Sequence, residues 1–200
     1  MLKLSKLVFP IASLFLLSSC SPRDFLTRRL AADLIASSNT FRAPQQFQLR
    51  IGIVSNNDYL SPDYLALQHR GWISVTNAAC PRGLLPPPCG DVALTPEGVD
   101  TFQSLIDAGA AEKQSFIIPA ARRDLVAVTG IAKQGNVADV DFTWKWTPLN
   151  EVGAALYPGD VRYRSTALFR SYDDGWRLMQ RASHPGQPLD EALKNAEILQ

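Results

Sequence analysis

The strongest constraint on the fold is an alternation of period two between residues 139 and 146. Val140, Phe142, Trp144 and Trp146 are apolar, and every residue between them is polar or charged. Because successive side chains of a β-strand point to opposite faces, this pattern predicts a strand with one buried face. Aromatic side chains at this spacing fit the buried face of a sheet. Residues 111–182 are therefore predicted to form an antiparallel sheet.

Similar alternation surrounds this strand. Strands are predicted from Arg123 onward, from Arg162 to Ser171 and from Trp176 to Met179, with turns at Gly130 and at Gly135-Asn136. Tyr163, Ala167 and Phe169 share one face of the second of these strands. Arg122, Arg123 and Asp124 are interpreted as a solvated charged turn before the sheet, with the mouth of a pocket as the alternative.

The last predicted hairpin carries a family resemblance. The segment from Ala167 to Leu178, with Asp173-Asp174-Gly175 as its turn and Trp176 directly after it, resembles the closing hairpin of cystatin-like folds, including nuclear-transport-factor-like α+β families. This resemblance implies a curved antiparallel sheet that wraps a helix. Residues 183–200, after that sheet, are predicted to be a peripheral tail with a short helix.

Helical and extended patterns alternate between residues 23 and 110. Leu26, Leu30 and Leu34 recur every four residues and predict an amphipathic helix over residues 23–36. The alternation from Phe47 to Ile53 predicts a strand. Asn56-Asn57-Asp58 is predicted to be a turn.

Two further helices are predicted from a capping residue followed by proline. Ser61-Pro62 and Thr95-Pro96 each place a side-chain acceptor before a proline that loses no helical hydrogen bond. The first helix should end near Arg70 and the second near Gly109. Strands are predicted between them, over 72–76 and 91–94. The predicted buried face of the second helix consists of Val99, Phe102, Leu105 and Ile106.

This order of elements resembles the wing of winged-helix proteins, including regulators of the PadR and MarR type. The resemblance covers residues 61–106 and rests on the segments from Leu67 to Ile73 and from Ala93 to Gly98. It implies a winged-helix-like shape for the half that spans residues 20–110. DNA binding is not expected, because Arg70 and Arg82 are the only basic residues in the segment. We expect a wing-like hairpin used for packing or protein contact.

The N-terminus has the pattern of a secretory signal over residues 1–19. Lys3 and Lys6 precede an apolar run from Leu7 to Leu17, and no acidic residue occurs. That run is too short for a membrane-spanning helix, which needs about 20 apolar residues. Leu17-Ser18-Ser19-Cys20 then resembles the bacterial lipobox. The resemblance implies cleavage before Cys20 and acyl chains on that cysteine, and so a lipid anchor in the cell envelope. Ser21 favours the outer membrane, with the domain facing the periplasm.

Removal of residues 1–19 takes away two lysines and no acid, so the formal net charge changes from +1 to −1. A nearly neutral mature chain gives no electrostatic indication of nucleic-acid binding. With Cys20 assigned to lipid, Cys80 and Cys89 remain, and an oxidising compartment favours a disulfide between them. The alternative, half of a zinc site, is not favoured, because His69 and His184 are the only histidines and neither sits at ligand spacing from a cysteine.

No catalytic motif with the required spacing occurs, and no cofactor or metal is expected. The Gly-x-Ser-x-Gly elbow, the phosphate-binding loop and the His-Glu-x-x-His pattern are all missing from the sequence. His69 is interpreted as a surface or capping residue, and Asp173-Asp174 as part of a hairpin turn. An enzyme is not the favoured interpretation.

The aromatic residues have two interpretations, a plain core and a concave apolar pocket that holds a small ligand or a partner's side chain. The candidate ligand or partner surface comprises Trp72, Phe142, Trp144, Trp146, Tyr163, Phe169 and Trp176. The sequence as a whole predicts an α+β lipoprotein with N-terminal helices, a wing-like hairpin and a C-terminal antiparallel sheet. Its expected function is a non-enzymatic interaction or binding role in the envelope. The alternative is a small apolar ligand-binding protein or a hydrolase that uses a pocket on the C-terminal sheet.

Overall fold

A computed structural model describes residues 25–81, 87–105, 115–179 and 188–199. Helices and strands are mixed along the chain, and the strands form two antiparallel sheets. The larger sheet is curled and has six strands, and the smaller has three. The predicted α+β class and the antiparallel C-terminal sheet are therefore confirmed.

The larger sheet is built on a long hairpin. Its strands β5 (Ser115–Gln134) and β6 (Val137–Pro148) are joined at Gly135-Asn136, where Gly135 has a φ of +61°. The predicted turn there is confirmed. The predicted turn at Gly130 is wrong, because this residue lies inside β5, where the pairing with β6 shifts register between Val128 and Gly130. A register shift of this kind bends a strand without ending it.

Four more strands complete this sheet. The order is β1-β5-β6-β7-β8, and β9 also pairs with β7. Every neighbouring pair is antiparallel. These strands are β1 (Gln45–Arg50), β7 (Arg162–Tyr172), β8 (Gly175–Leu178) and β9 (Glu197–Leu199).

The smaller sheet has the order β2-β4-β3, with β2 (Gly52–Ser55), β3 (Ile73–Ala78) and β4 (Cys89–Leu94). The predicted single strand from Phe47 to Ile53 is wrong, because it is divided between the two sheets. Gly52 has a φ of +81°, a left-handed conformation that glycine adopts readily. The chain therefore turns after β1 and enters the second sheet.

Seven helices occur in the described residues. Both predicted cap-and-proline starts are confirmed: Ser61 Oγ accepts from Tyr64 N at 3.5 Å, and Thr95 Oγ1 accepts from Gly98 N at 3.0 Å. The predicted turn at residues 56–58 is a short helix. The helices are α1 (Arg28–Ser37), α2 (Asn39–Arg42), α3 (Asn56–Tyr59), α4 (Pro62–His69), α5 (Pro96–Gln103), α6 (Glu151–Leu156) and α7 (Leu189–Lys194).

The buried side chains form two clusters that meet along β5. One cluster lies between the larger sheet and helices α1 and α7. The other joins β1, the start of β5, the smaller sheet and helices α4 to α6. Helix α1 thus packs against strands from the far end of the sequence, and the stretches 20–110 and 111–182 share one sheet through the β1–β5 pairing.

One of the residues predicted to lie on the buried face of α5 is exposed. Phe102 is fully buried, but Val99 is 48% exposed, because α5 turns Gly98 and Phe102 toward Trp72 instead. The predicted end of this helix near Gly109 is wrong, because α5 ends at Gln103 with Ser104 as its C-cap. The predicted burial of Ile106 falls outside the described residues.

The peripheral tail predicted after residue 182 is also corrected for the described part, residues 188–199. Leu189 is fully buried and Ala192 almost so, both within the cluster under the larger sheet. Strand β9 then pairs with β7. Among the helices that the structure describes, none is long and apolar enough to cross a membrane.

Candidate functional site

The two cysteines predicted to pair do form a disulfide. Cys80 and Cys89 are joined with an S–S distance of 2.00 Å and a Cα–Cα distance of 5.3 Å. Cys89 begins β4 and lies opposite Ala78 at the end of β3, so the bond closes the loop that connects these two strands. Cys20, the predicted lipidation residue, lies outside the described residues.

The structure places most of the candidate aromatic surface inside the protein. Phe142, Trp144, Trp146 and Phe169 are buried on the inner face of the larger sheet, as is Trp176, while Tyr163 is partly buried. Their contacts are with each other: the rings of Trp144 and Tyr163 stack at 4.6 Å, and those of Trp144 and Trp146 meet edge to face at 5.1 Å. These side chains are core residues, and a ligand would have to displace them to reach the stripe.

Trp72 belongs to the second cluster. Its side chain is 7% exposed, and its ring meets that of Phe102 edge to face at 6.2 Å. The indole thus fixes β3 against α5, while little of its surface faces solvent.

A cleft of about 870 Å³ opens beside the buried tryptophans. Its walls come from the end of α1 and from α2, from the middle of β5, from β6, and from the loop that leads into β7. Five basic residues line it, together with two carboxylates. The cations are Arg42, Arg122, Arg123, Lys145 and Arg162, and the carboxylates are Asp124 and Asp160.

Arg123 joins this cleft to the core. Its guanidinium carbon lies 4.6 Å from the ring centroid of Trp146 and 5.7 Å from that of Trp144, within the range of cation–π attraction. Its Nη1 donates to the carbonyl oxygen of Thr40 at 3.3 Å, which ties β5 to α2. Burial lowers the pKa of Arg123 from its usual value, and the nearby Tyr157 acts in the opposite direction. Its Nε is buried and has no hydrogen-bond acceptor among the described residues.

The charges of the cleft do not cancel. Asp124 is engaged by Arg122, with Nε 3.5 Å from Oδ1, and it accepts a short hydrogen bond from the hydroxyl of Thr147. Arg42, Lys145 and Arg162 form no ion pair with any residue that the structure describes. The cleft therefore has a surplus of positive charge, although the chain as a whole has a net charge of only +1.

Sheet register brings several of these groups together. Asp124 lies opposite Lys145, and Lys145 lies opposite Arg162, so three charged residues on neighbouring strands share the outer face. The predicted charged turn at Arg122, Arg123 and Asp124 is wrong, because these residues lie inside β5. These residues instead form part of the wall of the cleft.

Sequence reasoning missed Arg42 and Arg162 as site residues and placed Lys145 only on the polar face of its strand. Alternation identifies which face of a strand a residue occupies, but not which strand lies beside it. No local signal links Arg42 to Arg162, because they are 120 positions apart in the sequence.

The arrangement is suited to binding anions. Arginine remains charged at neutral pH and presents several donors in a plane, which favours carboxylate and phosphate groups. Within the described residues no cluster of His, Cys, Asp and Glu could hold a metal ion.

Comparison of the chain with protein-family models, with curated proteins and with solved structures finds no significant match.

Proposed function

We propose that this protein is a lipid-anchored component of the bacterial cell envelope with a non-enzymatic binding role, held by acyl chains on Cys20. The leader over residues 1–19 and the Leu17-Ser18-Ser19-Cys20 segment support the anchor. The outer membrane, with the domain facing the periplasm, is the proposed location. Two or more acyl chains would give stable attachment, since each buried methylene contributes about 0.8 kcal/mol.

The Cys80–Cys89 disulfide is the structural observation that best supports this location. Disulfides persist in oxidising compartments such as the periplasm and are rare in the cytosol. A cytosolic protein with this sequence would hold the same two residues as thiols.

Mass spectrometry of the native protein from its own cells tests both parts of the proposal. We expect an N-terminal peptide that begins at Cys20 and carries the mass of a diacylglyceryl group with or without a third acyl chain. We also expect Cys80 and Cys89 to resist alkylation until a reductant is added. The proposal fails if the intact leader is found on soluble material, or if Cys20→Ala leaves processing and membrane fractionation unchanged.

Two surfaces support a binding role. The smaller sheet with helices α4 and α5 is proposed to be the wing-like unit that the sequence suggests, used for packing or for contact with an envelope protein. The cationic cleft is the second surface, and its arginine side chains suit recognition better than proton transfer at neutral pH. The cleft is the observation that best supports a binding role.

The second candidate function is a small-ligand binder or a hydrolase that uses the C-terminal sheet. The cleft beside Trp144 and Trp146 favours the binder, because it offers volume at that sheet. An apolar ligand is less well supported, since the apolar stripe itself is filled by its own side chains. Saturable displacement of a dye that fluoresces in apolar sites would favour an apolar ligand, whereas no dye binding would argue against it.

A further inference from the structure

We infer that the cationic cleft binds a phosphate monoester attached to a small apolar body. This inference rests on the binding role proposed above and adds to it the chemical class of the ligand. The phosphate group could belong to a lipid headgroup or to a free phosphorylated compound. In both cases the cleft would recognise the same dianion.

The first argument for an anionic ligand is the excess of positive charge in the cleft. Five cations and two carboxylates line the cleft, and Asp124 is already engaged by Arg122 and Thr147. Arg42, Lys145 and Arg162 are left without an ion pair among the described residues. Like charges gathered in one concave site repel each other and raise the local concentration of anions. A dianion relieves this repulsion more than a singly charged group does.

The second argument, which concerns the apolar part of the ligand, rests on the volume of the cleft and on its apolar wall residues. A cleft of about 870 Å³ is in the range of small-molecule sites, which run from roughly 300 to 1,000 Å³. Phe41 lines the wall but is only 2% exposed. The apolar surface that a ligand can reach comes from Leu125, which is partly buried, and Val126, which is exposed. A ligand with an apolar part can cover these side chains while its charged end meets the cations.

The cations are presented by supports of different rigidity. Lys145 and Arg162 start from paired positions on β6 and β7, so their spacing is set by the sheet. Arg123 is held by its stacking on Trp146 and by its bond to Thr40. Arg42 ends helix α2, which also lines the cleft. The backbone positions of these cations are thus set by packed elements, and the Arg123 side chain is also fixed, which lowers part of the entropic penalty of binding.

Isothermal titration calorimetry of the full chain in a non-ionic detergent tests the inference. Phenyl phosphate stands for the free compound and dihexanoyl phosphatidic acid for the lipid, with benzyl alcohol and dihexanoylglycerol as their neutral counterparts. At pH 8 and low salt a phosphate monoester is a dianion, because its second pKa is about 6. We expect at least one anion to bind about tenfold or more tightly than its neutral counterpart, and inorganic phosphate to bind more weakly than that anion.

Variants locate the site. Arg42→Gln combined with Arg162→Gln should weaken binding about tenfold or more, since hydrogen bonds to charged groups are the strong ones. Arg70→Gln, an exposed cation that does not line the cleft, is the matched control and should change the affinity less than twofold. Thermal unfolding checks that each variant is folded. Should the double variant unfold, Arg42→Gln alone gives the same test at an exposed residue.

The preferred anion identifies the source of the phosphate. Binding of phenyl phosphate alone points to a soluble compound, and binding of the phosphatidic acid alone points to a headgroup. The inference is overturned if neither anion binds better than its neutral counterpart, or if the cleft variants and Arg70→Gln lose affinity equally. Equal affinity for inorganic phosphate and phenyl phosphate would overturn the assignment of an apolar body. These measurements do not depend on lipid at Cys20, so they are independent of the test of anchoring.

Discussion

The hydroxyl group of Tyr64 secures the point where the chain passes from one sheet to the other. It donates to the carbonyl oxygen of Arg50 at 3.2 Å and accepts from the amide nitrogen of the same residue at 2.7 Å. Arg50 is the last residue of β1, and Gly52 begins β2. The side chain thus satisfies both backbone groups of the residue at the break, which a continuous strand would satisfy by pairing.

Tyr64→Phe is predicted to destabilise the protein by about 1–3 kcal/mol, because it leaves the Arg50 amide without its partner. The free energy of unfolding from urea denaturation measures this change. Tyr172→Phe removes a hydroxyl from an exposed tyrosine and should change stability by less than about 0.5 kcal/mol. Equal stability of the two variants would show that the hydroxyl of Tyr64 does not hold the break.

Because Tyr64 is buried, the protein is predicted to lose stability at alkaline pH. Burial raises the pKa of Tyr64 above its usual value near 10, and the pKa of Tyr157 is raised mainly by burial as well. Above pH 10 the unfolded chain releases these protons more readily than the folded one, so the free energy of unfolding should fall as the pH rises. Urea denaturation at pH 8, 10 and 11 should show this fall, and it should be smaller in Tyr64→Phe. An unchanged pH dependence in that variant would exclude Tyr64 as a contributor.

At the scale of elements, two glycines allow helices to lie directly on the backbone of neighbouring segments. A Cβ atom added to Gly98 in α5 would lie 1.8 Å from the carbonyl oxygen of Trp72, and one added to Gly153 in α6 would lie 1.8 Å from that of Ala120. Both glycines are buried. Close packing, and not helix propensity, explains why glycine occupies these helical positions.

Gly98→Ala should therefore destabilise the protein, although alanine is the better helix former by about 1 kcal/mol. We expect a loss of about 1–3 kcal/mol, since α5 must move away from Trp72 to admit the methyl group. Thermal and urea unfolding measure it. Asp100→Ala, at an exposed position of the same helix, is the control and should be neutral or slightly stabilising. A stabilising effect of Gly98→Ala would contradict the close approach.

At the scale of the whole molecule, the C-terminal segment completes the main core. Helix α7 contributes Leu189, Ala192 and Leu193 to the cluster that also contains α1 and the tryptophan stripe. Strand β9 then pairs with β7 over residues 162–164, and the first of these, Arg162, also lines the cleft. The two ends of the described chain thus meet on one sheet.

Leu189→Ala is predicted to cost about 2–5 kcal/mol in the free energy of unfolding, because it leaves a cavity at a fully buried position. Glu191→Ala on the exposed side of the same helix should cost less than about 0.5 kcal/mol. Urea denaturation followed by tryptophan fluorescence compares the two variants. Nearly equal stabilities would mean that α7 is peripheral to the fold.

The sequence alone determined the features that depend on neighbouring residues. Alternation located the buried face of β6, and Gly135-Asn136 marked the hairpin turn. Ser61-Pro62 and Thr95-Pro96 marked two helix starts, and the cysteine count indicated the disulfide. Each of these depends on hydrogen bonds, side-chain periodicity or chemistry within a few residues, or on the number of thiols available.

Only the tertiary structure decided which distant segments meet. The division of residues 47–53 between two sheets, the burial of Leu189 and the exposure of Val99 depend on partners far away in the sequence. The cleft has the same origin, because its cations come from α2, β5, β6 and β7. Such contacts depend on strand order and register, which side-chain alternation leaves open, and so no local pattern could show that Arg42 and Arg162 line the same cleft.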